Sequence, residues 1–221
     1  MWMTRLLIPA ALAAASAALA QPARGYGPDP ARADSWQIGP IIRGRNYSVG
    51  MPLQPSPERR GWSFDIPSPD VRAGHVHYLT FNAGSLAGKR RIVMRYRIDA
   101  PRGTRFVPRE YPEEPAIMSM YFQRRGDSWS ARGRYEHYRW YAAPHKVVQV
   151  APGEHVVSID LVPSEWISLA FRPGTENPDA FAEAIAQSDR VGFVFGAPLG
   201  RGHGAFATAP ARFTVLSFEV I

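Results

Sequence analysis

Most of the chain consists of short runs in which apolar and polar residues alternate. The clearest is Arg90 to Ile98: Ile92, Met94, Tyr96 and Ile98 fall on one side, Arg91, Arg95 and Arg97 on the other, and only Val93 interrupts the polar row. Successive side chains of a strand point to opposite faces, so this spacing predicts a strand with one face in a core and a cationic face in water. Trp62 to Ile66, His75 to Phe81, Ile117 to Gln123, Arg134 to Ala142, Lys146 to Val150, His155 to Val162, Arg190 to Ala197 and Arg212 to Val220 also read as strands between turn residues. Met118, Met120 and Phe122 share one face of their run. In the Arg134–Ala142 run we expect Tyr138 and Trp140 inside and Tyr135, Arg139 and Tyr141 outside. Residues 50–61 and 101–115 are rich in proline and read as irregular connections.

One helix is expected near 178–188. Asn177 can cap it, Pro178 suits its first position, Asp179 favours its dipole, and Phe181, Ala184, Ile185 and Ser188 share a face. About nine strands, one helix and no alternation of strands with helices predict an all-β antiparallel sandwich of jelly-roll type with one short covering helix. An up-and-down barrel is the rival architecture, and an outer-membrane barrel fits the long proline-rich connections less well.

Composition sharpens this picture. The chain has 221 residues, 45% apolar and 20% charged, with 19 glycines and 21 prolines, which suits a loop-rich globular β protein. Arg5, an apolar stretch from Leu6 to Ala15 and Ala18-Leu19-Ala20 before Gln21 read as an export signal cleaved after Ala20. Residues 21–35 then read as a flexible lead-in, and 36–221 as the sandwich domain. The expected location is periplasmic or extracellular, with no membrane anchor once the signal is removed. No cysteine is present, so disulfides, thiolate metal sites and cysteine nucleophiles are excluded. The net charge of +7 is carried by 24 arginines and two lysines. Export makes nucleic acid an unexpected partner, and acidic polymers remain a natural one.

The richest segment for chemistry runs from Tyr121 to Tyr141. Seven of its residues are aromatic and five are arginine, which supplies rings to stack on sugars and guanidinium groups for hydroxyls or carboxylates. Arg124, Asp127, Trp129, Tyr135, Arg139 and Tyr141 are the candidate ligand-binding residues, with Trp62 on the rim. Tyr135, His137 and Arg139 also suit an elimination reaction on a uronate, as base and charge neutraliser. His75 and His77 lie on one strand face, as two metal-binding imidazoles would, but no third ligand is near in sequence. No cofactor is expected. Asp34, Asp65 and Glu219 are the acidic candidates for a structural calcium, and they are too scattered for the dense oxygen cluster it needs. Gly-x-Ser-x-Gly and His-Glu-x-x-His are both absent, so the serine-hydrolase and zinc-protease readings have no support.

The Tyr121–Tyr141 segment, Val191-Gly-Phe-Val-Phe-Gly196 and the closing Phe213–Ile221 run together resemble the galactose-binding-like jelly rolls of bacterial carbohydrate-binding modules, in which a last strand of this kind returns beside the first. The resemblance implies glycan binding by loops and one concave face. The leading expectation is an exported carbohydrate-binding protein whose partner is a polysaccharide or other glycan, with acidic glycans favoured by the charge. The alternatives are a polysaccharide-active enzyme, either a uronate lyase or a glycoside hydrolase, and an envelope structural or interaction protein. Alginate-lyase jelly rolls carry an Arg-x-Glu-Leu-Arg strand and a Gln-Ile-His strand, and neither motif is present.

Overall fold

The computed structural model describes residues 29–67 and 72–221. The expected export signal and the lead-in as far as residue 28 lie outside the described residues. Ten strands build the frame: β1 (Trp36–Gly39), β2 (Trp62–Ile66), β3 (Tyr78–Asn82), β4 (Arg91–Asp99), β5 (Ile117–Arg124), β6 (Arg139–Ala142), β7 (Gly153–Asp160), β8 (Trp166–Ser168), β9 (Ser188–Gly196) and β10 (Ala211–Val220). One sheet has the order β1-β3-β9-β5-β6-β8, with Val148–Gln149 added beside β5; the other has the order β7-β4-β10-β2 and ends on Ser56–Pro57. All pairings between these strands are antiparallel. The protein is therefore the expected β-sandwich, and its closing strand β10 lies in the middle of the second sheet.

The alternation read in Arg90–Ile98 is realised in β4: Ile92, Met94, Tyr96 and Ile98 are buried, Arg91, Arg95 and Arg97 are exposed, and Val93 is half-buried. The cationic outer face, however, is neutralised. Arg91 pairs with Asp160, Arg95 with Glu154, Arg97 with Asp99 and Arg212 with Asp65. Strand pairing places β7 and β10 on either side of β4 and sets the carboxylates among its arginines.

The core between the sheets is largely aromatic. Trp36 and Trp62 meet at 4.5 Å, and Phe193 stacks on Trp62 at 6.2 Å and on Phe213 at 5.4 Å. The helix α1 (Pro178–Ala186) closes one end by setting Phe181 against Trp140 at 5.1 Å and Phe122 at 5.8 Å. Its Asn177 makes no side-chain cap, and the Asn177 carbonyl instead accepts the Phe181 N–H.

Three expectations are corrected. Trp62, read as a rim residue, is fully buried, and its indole N–H donates to the Pro30 carbonyl. Its alternation with Phe64 and Ile66 carries it to the core face. The Trp36 indole donates to the same carbonyl, and Ala33 is buried, so residues 29–35 are fastened to the sandwich. The Arg134–Ala142 run is not one strand: Gly133–His137 forms a 3-10 turn, and β6 begins only at Arg139. Gly133 has φ +56°, a left-handed conformation that diverts the chain from extension.

Candidate functional site

The outer face of the seven-stranded sheet carries a second, separate cluster. One cross-strand row runs Gln37, Thr80, Gly192, Tyr121, Tyr141 and Ile167 across all six framing strands. Beside it runs a polar row, Asn82, Arg190, Gln123 and Arg139. Gly192 is required by close approach, since a Cβ there meets the Leu79 carbonyl oxygen at 1.9 Å.

Two loops close over this face. The loop between β9 and β10 lays Gly202 on the Tyr78 ring, where a Cβ meets the hydroxyl at 2.4 Å. The loop between β5 and β6 brings Trp129, whose ring stands edge-on to Tyr78 at 5.6 Å. Together they bury Tyr78, Tyr121 and Tyr141. Tyr141 was expected in solvent; it does point away from the core, but these loops seal it. The Tyr78 and Tyr141 hydroxyls are 2.8 Å apart. Burial raises all three phenol pKa values above the ordinary range. The Tyr121 hydroxyl and Arg139 Nη2 are buried without a hydrogen-bond partner among the described residues, leaving capacity for a buried water.

Asp127 organises the Trp129 loop. Its side chain has 0% exposure and lies 2.9 Å from Arg139 Nε, itself 8% exposed. The same carboxylate accepts the Trp129 N–H at 3.0 Å and Gln123 Nε2 at 2.9 Å. The Arg139 guanidinium lies 4.8 Å from the Trp129 ring centre. Trp129 is held half-exposed in this way, with a left-handed backbone at φ 62°. Only four described residues other than glycine have positive φ: Arg43, Trp129, Ala131 and Phe171. For a side chain as bulky as tryptophan this conformation is strained, and such strain gathers at functional sites.

Trp129 forms a wall shared by two openings. One, of about 190 Å³, is lined by Gln37, Thr80, Gln123, Asp189 and Arg190 over a Tyr78 floor. The other, of about 420 Å³, lies between Trp129, Ser128 and Ser130 on one side and Arg43, Arg45 and Tyr47 on the other. Arg43 and Arg45 belong to the hairpin Ile41–Ile42/Arg45–Asn46. Its two-residue turn, Arg43-Gly44, has both φ angles positive, as a type I′ turn requires.

Of the remaining sequence-derived candidates, Arg124 lines the smaller opening, paired with Glu183 at 2.6 Å and lying over Tyr138. Tyr135 is half-buried in the 3-10 turn and accepts from Arg134 at 3.0 Å. His137 stacks on Trp140. Trp140 packs in the core, whereas Arg139 faces the outer cluster. The grouping of Tyr135, His137 and Arg139 for an elimination is therefore not assembled. The row residues Gln37, Thr80, Gln123 and Arg190 were missed, although polar positions alternating with core residues in β1, β3, β5 and β9 marked that face.

His75 and His77 are buried with ring centres 4.6 Å apart, beneath Gly204. No group of three or more metal-ligating side chains occurs among the described residues. The calcium candidates lie apart, with Asp34 paired to Arg32 and Asp65 to Arg212. His77 Nδ1 donates to the Gly202 carbonyl at 2.7 Å, and His77 Nε2 and His75 Nδ1 have no partner among the described residues. Burial, opposed by that carbonyl, lowers the His77 pKa from 6.5 to about 3. Burial and then Arg109 lower that of His75. The folded state thus disfavours protons that the unfolded chain binds. Stability is full above pH 6.5 and is lost as the pH falls towards about 3, at about 1.4 kcal/mol per pH unit for one such group. His77→Asn keeps a donor near Nδ1 and cannot titrate. Urea unfolding across this range is expected to give a shallower acid slope for the variant, and an unchanged slope removes His77 as its source.

Fold and site together define an antiparallel β-sandwich with a polar, aromatic-walled groove on one sheet. No helix among the described residues is long and apolar enough to cross a membrane. No protein-family model matches the chain, and no curated protein matches it either.

Proposed function

We propose that the protein is an exported carbohydrate-binding module that holds a glycan in the groove around Trp129. The observation that carries this reading is the half-exposed Trp129 ring standing between two openings, with Gln37, Thr80, Gln123 and Arg190 beside it. A sugar presents an apolar C–H face and a polar hydroxyl rim. An indole face and a ring of amide, hydroxyl and guanidinium groups complement both. The smaller opening, about 190 Å³, has room for about one sugar ring. Asp127, Arg139 and the backbone strain fix the indole before the ligand arrives, which lowers the entropy lost on binding. The resemblance to bacterial carbohydrate-binding modules points the same way at the level of fold, and the groove supplies the argument that a fold by itself does not.

Affinity electrophoresis on a panel of polysaccharides tests it. Trp129→Ala is expected to weaken retention at least about tenfold, and Trp129→Phe to restore part of it. Thermal melting accompanies each variant, because Trp129 also packs on the tyrosine cluster. Equal retention by a folded Trp129→Ala variant, or no retention of any polysaccharide by the parent, removes the proposal.

A further inference from the structure

Among the described residues, some arginines are paired with carboxylates and others are not. On the outer face of the second sheet, Arg91, Arg95, Arg97 and Arg212 each have a carboxylate partner. Around Trp129, Arg139 and Arg124 are paired in the same way, and three further arginines are not. Among the described residues no carboxylate lies within ion-pair distance of Arg43, Arg45 or Arg190. Arg190 is held by the neutral Gln37 side chain at 2.9 Å, and Arg45 lies 5.3 Å from the Tyr47 ring centre. The carboxylates near the groove are accounted for by name: Asp127 is paired with Arg139, Glu183 with Arg124, and Asp189 lines the smaller opening with no ion pair among the described residues.

These cations also sit on both sides of the indole. Arg190 lines the smaller opening, and Arg43 and Arg45 line the larger one. Arg43 occupies a left-handed turn position where asparagine or glycine is ordinarily favoured, so the cation stands there against the local backbone preference. We infer that the groove recognises a polyuronate: one sugar stacks on Trp129, and carboxylates of the flanking sugars meet Arg190 on one side and Arg43 with Arg45 on the other. A chain with one carboxylate per ring supplies negative charge at both places. The planar guanidinium matches a carboxylate through two parallel hydrogen bonds. The inference rests on the glycan-binding reading and adds its substrate class.

The test is titration calorimetry with oligogalacturonate and with the same oligosaccharide after its carboxyl groups are reduced to alcohols. The polyuronate is expected to bind at least about tenfold more tightly, with the difference shrinking as salt is raised. Arg43→Asn with Arg45→Gln keeps a turn-compatible residue and removes both charges. It is expected to abolish most of that preference, lowering the affinity for the polyuronate far more than the affinity for the reduced oligosaccharide. Arg95→Gln, on the opposite sheet, is expected to change neither. Equal binding of the two oligosaccharides overturns the polyuronate assignment and leaves glycan binding standing. Failure to bind either, together with failure on the polysaccharide panel, overturns both. Dextran sulfate or single-stranded DNA bound as tightly as the polyuronate, with no loss in Trp129→Ala, reduces the effect to general attraction of polyanions and also overturns the assignment.

Discussion

Replacing Asp127 by alanine (Asp127→Ala) is expected to lower the free energy of unfolding by about 3–5 kcal/mol. The carboxylate is sealed from solvent and faces an almost fully buried guanidinium, and removing it leaves the Arg139 charge stranded. The same carboxylate also holds the Trp129 N–H and the Gln123 amide, so the loop that carries the indole loses its anchor. The strongest check is non-additivity. In Asp127→Ala with Arg139→Met no buried charge is orphaned, and much of the loss is expected to be recovered in urea unfolding. The proposed glycan retention is not expected to return with it, because Trp129 also rests on the guanidinium. A loss below about 1 kcal/mol in the single variant is incompatible with a buried, mutually dependent pair.

Phe193→Ala is the second large effect, at about 3–5 kcal/mol. Phe193 lies in the middle of β9 and is fully buried. It touches Trp36 at 5.9 Å, Trp62 at 6.2 Å, Phe195 at 5.8 Å and Phe213 at 5.4 Å. Trp62 and Phe213 belong to the opposite sheet, so this ring joins the two layers. The surrounding rings are held by their own strands and cannot collapse into the space left behind. Phe193→Leu refills part of it and is expected to cost roughly half as much or less. A loss below about 2 kcal/mol for Phe193→Ala shows that the layers repack freely around this position, contrary to the rigid aromatic core argued above.

The buried cluster around Tyr78, Tyr141 and Arg139 bears on both results. Three hydroxyls, a guanidinium and a carboxylate lie under the binding groove in place of an apolar layer. The Tyr78–Tyr141 hydroxyl contact and the Asp127–Arg139 pair fix the positions of these side chains. This cluster gives the groove a preset floor, whereas Arg43 and Arg45, which we propose to select the ligand, stand on an exposed hairpin. On the second sheet Arg91, Arg95, Arg97 and Arg212 are paired within the fold, whereas Arg43, Arg45 and Arg190 near Trp129 have no carboxylate within ion-pair distance among the described residues.

Strand alternation was legible in the chain wherever one face of a strand enters the core, because burial imposes a period of two on the residue pattern. It identified β4 residue by residue, and the composition of the turns pointed to an antiparallel sandwich with one covering helix. The Tyr121–Tyr141 segment was also legible as the place where aromatic and arginine side chains gather. Three things depended on tertiary contacts. Tyr141 faces away from the core and yet is buried, since loops distant in sequence fold over that face. Gly133–His137 turns where its aromatic pattern suggested a strand. Arg43 and Arg45 reach the groove from a hairpin with no apolar period of its own. Local pattern reports which face of an element avoids water; it carries no information on which remote loop will cover the other face, or on which charges will find partners there, and in this protein the groove around Trp129 is made of those two outcomes.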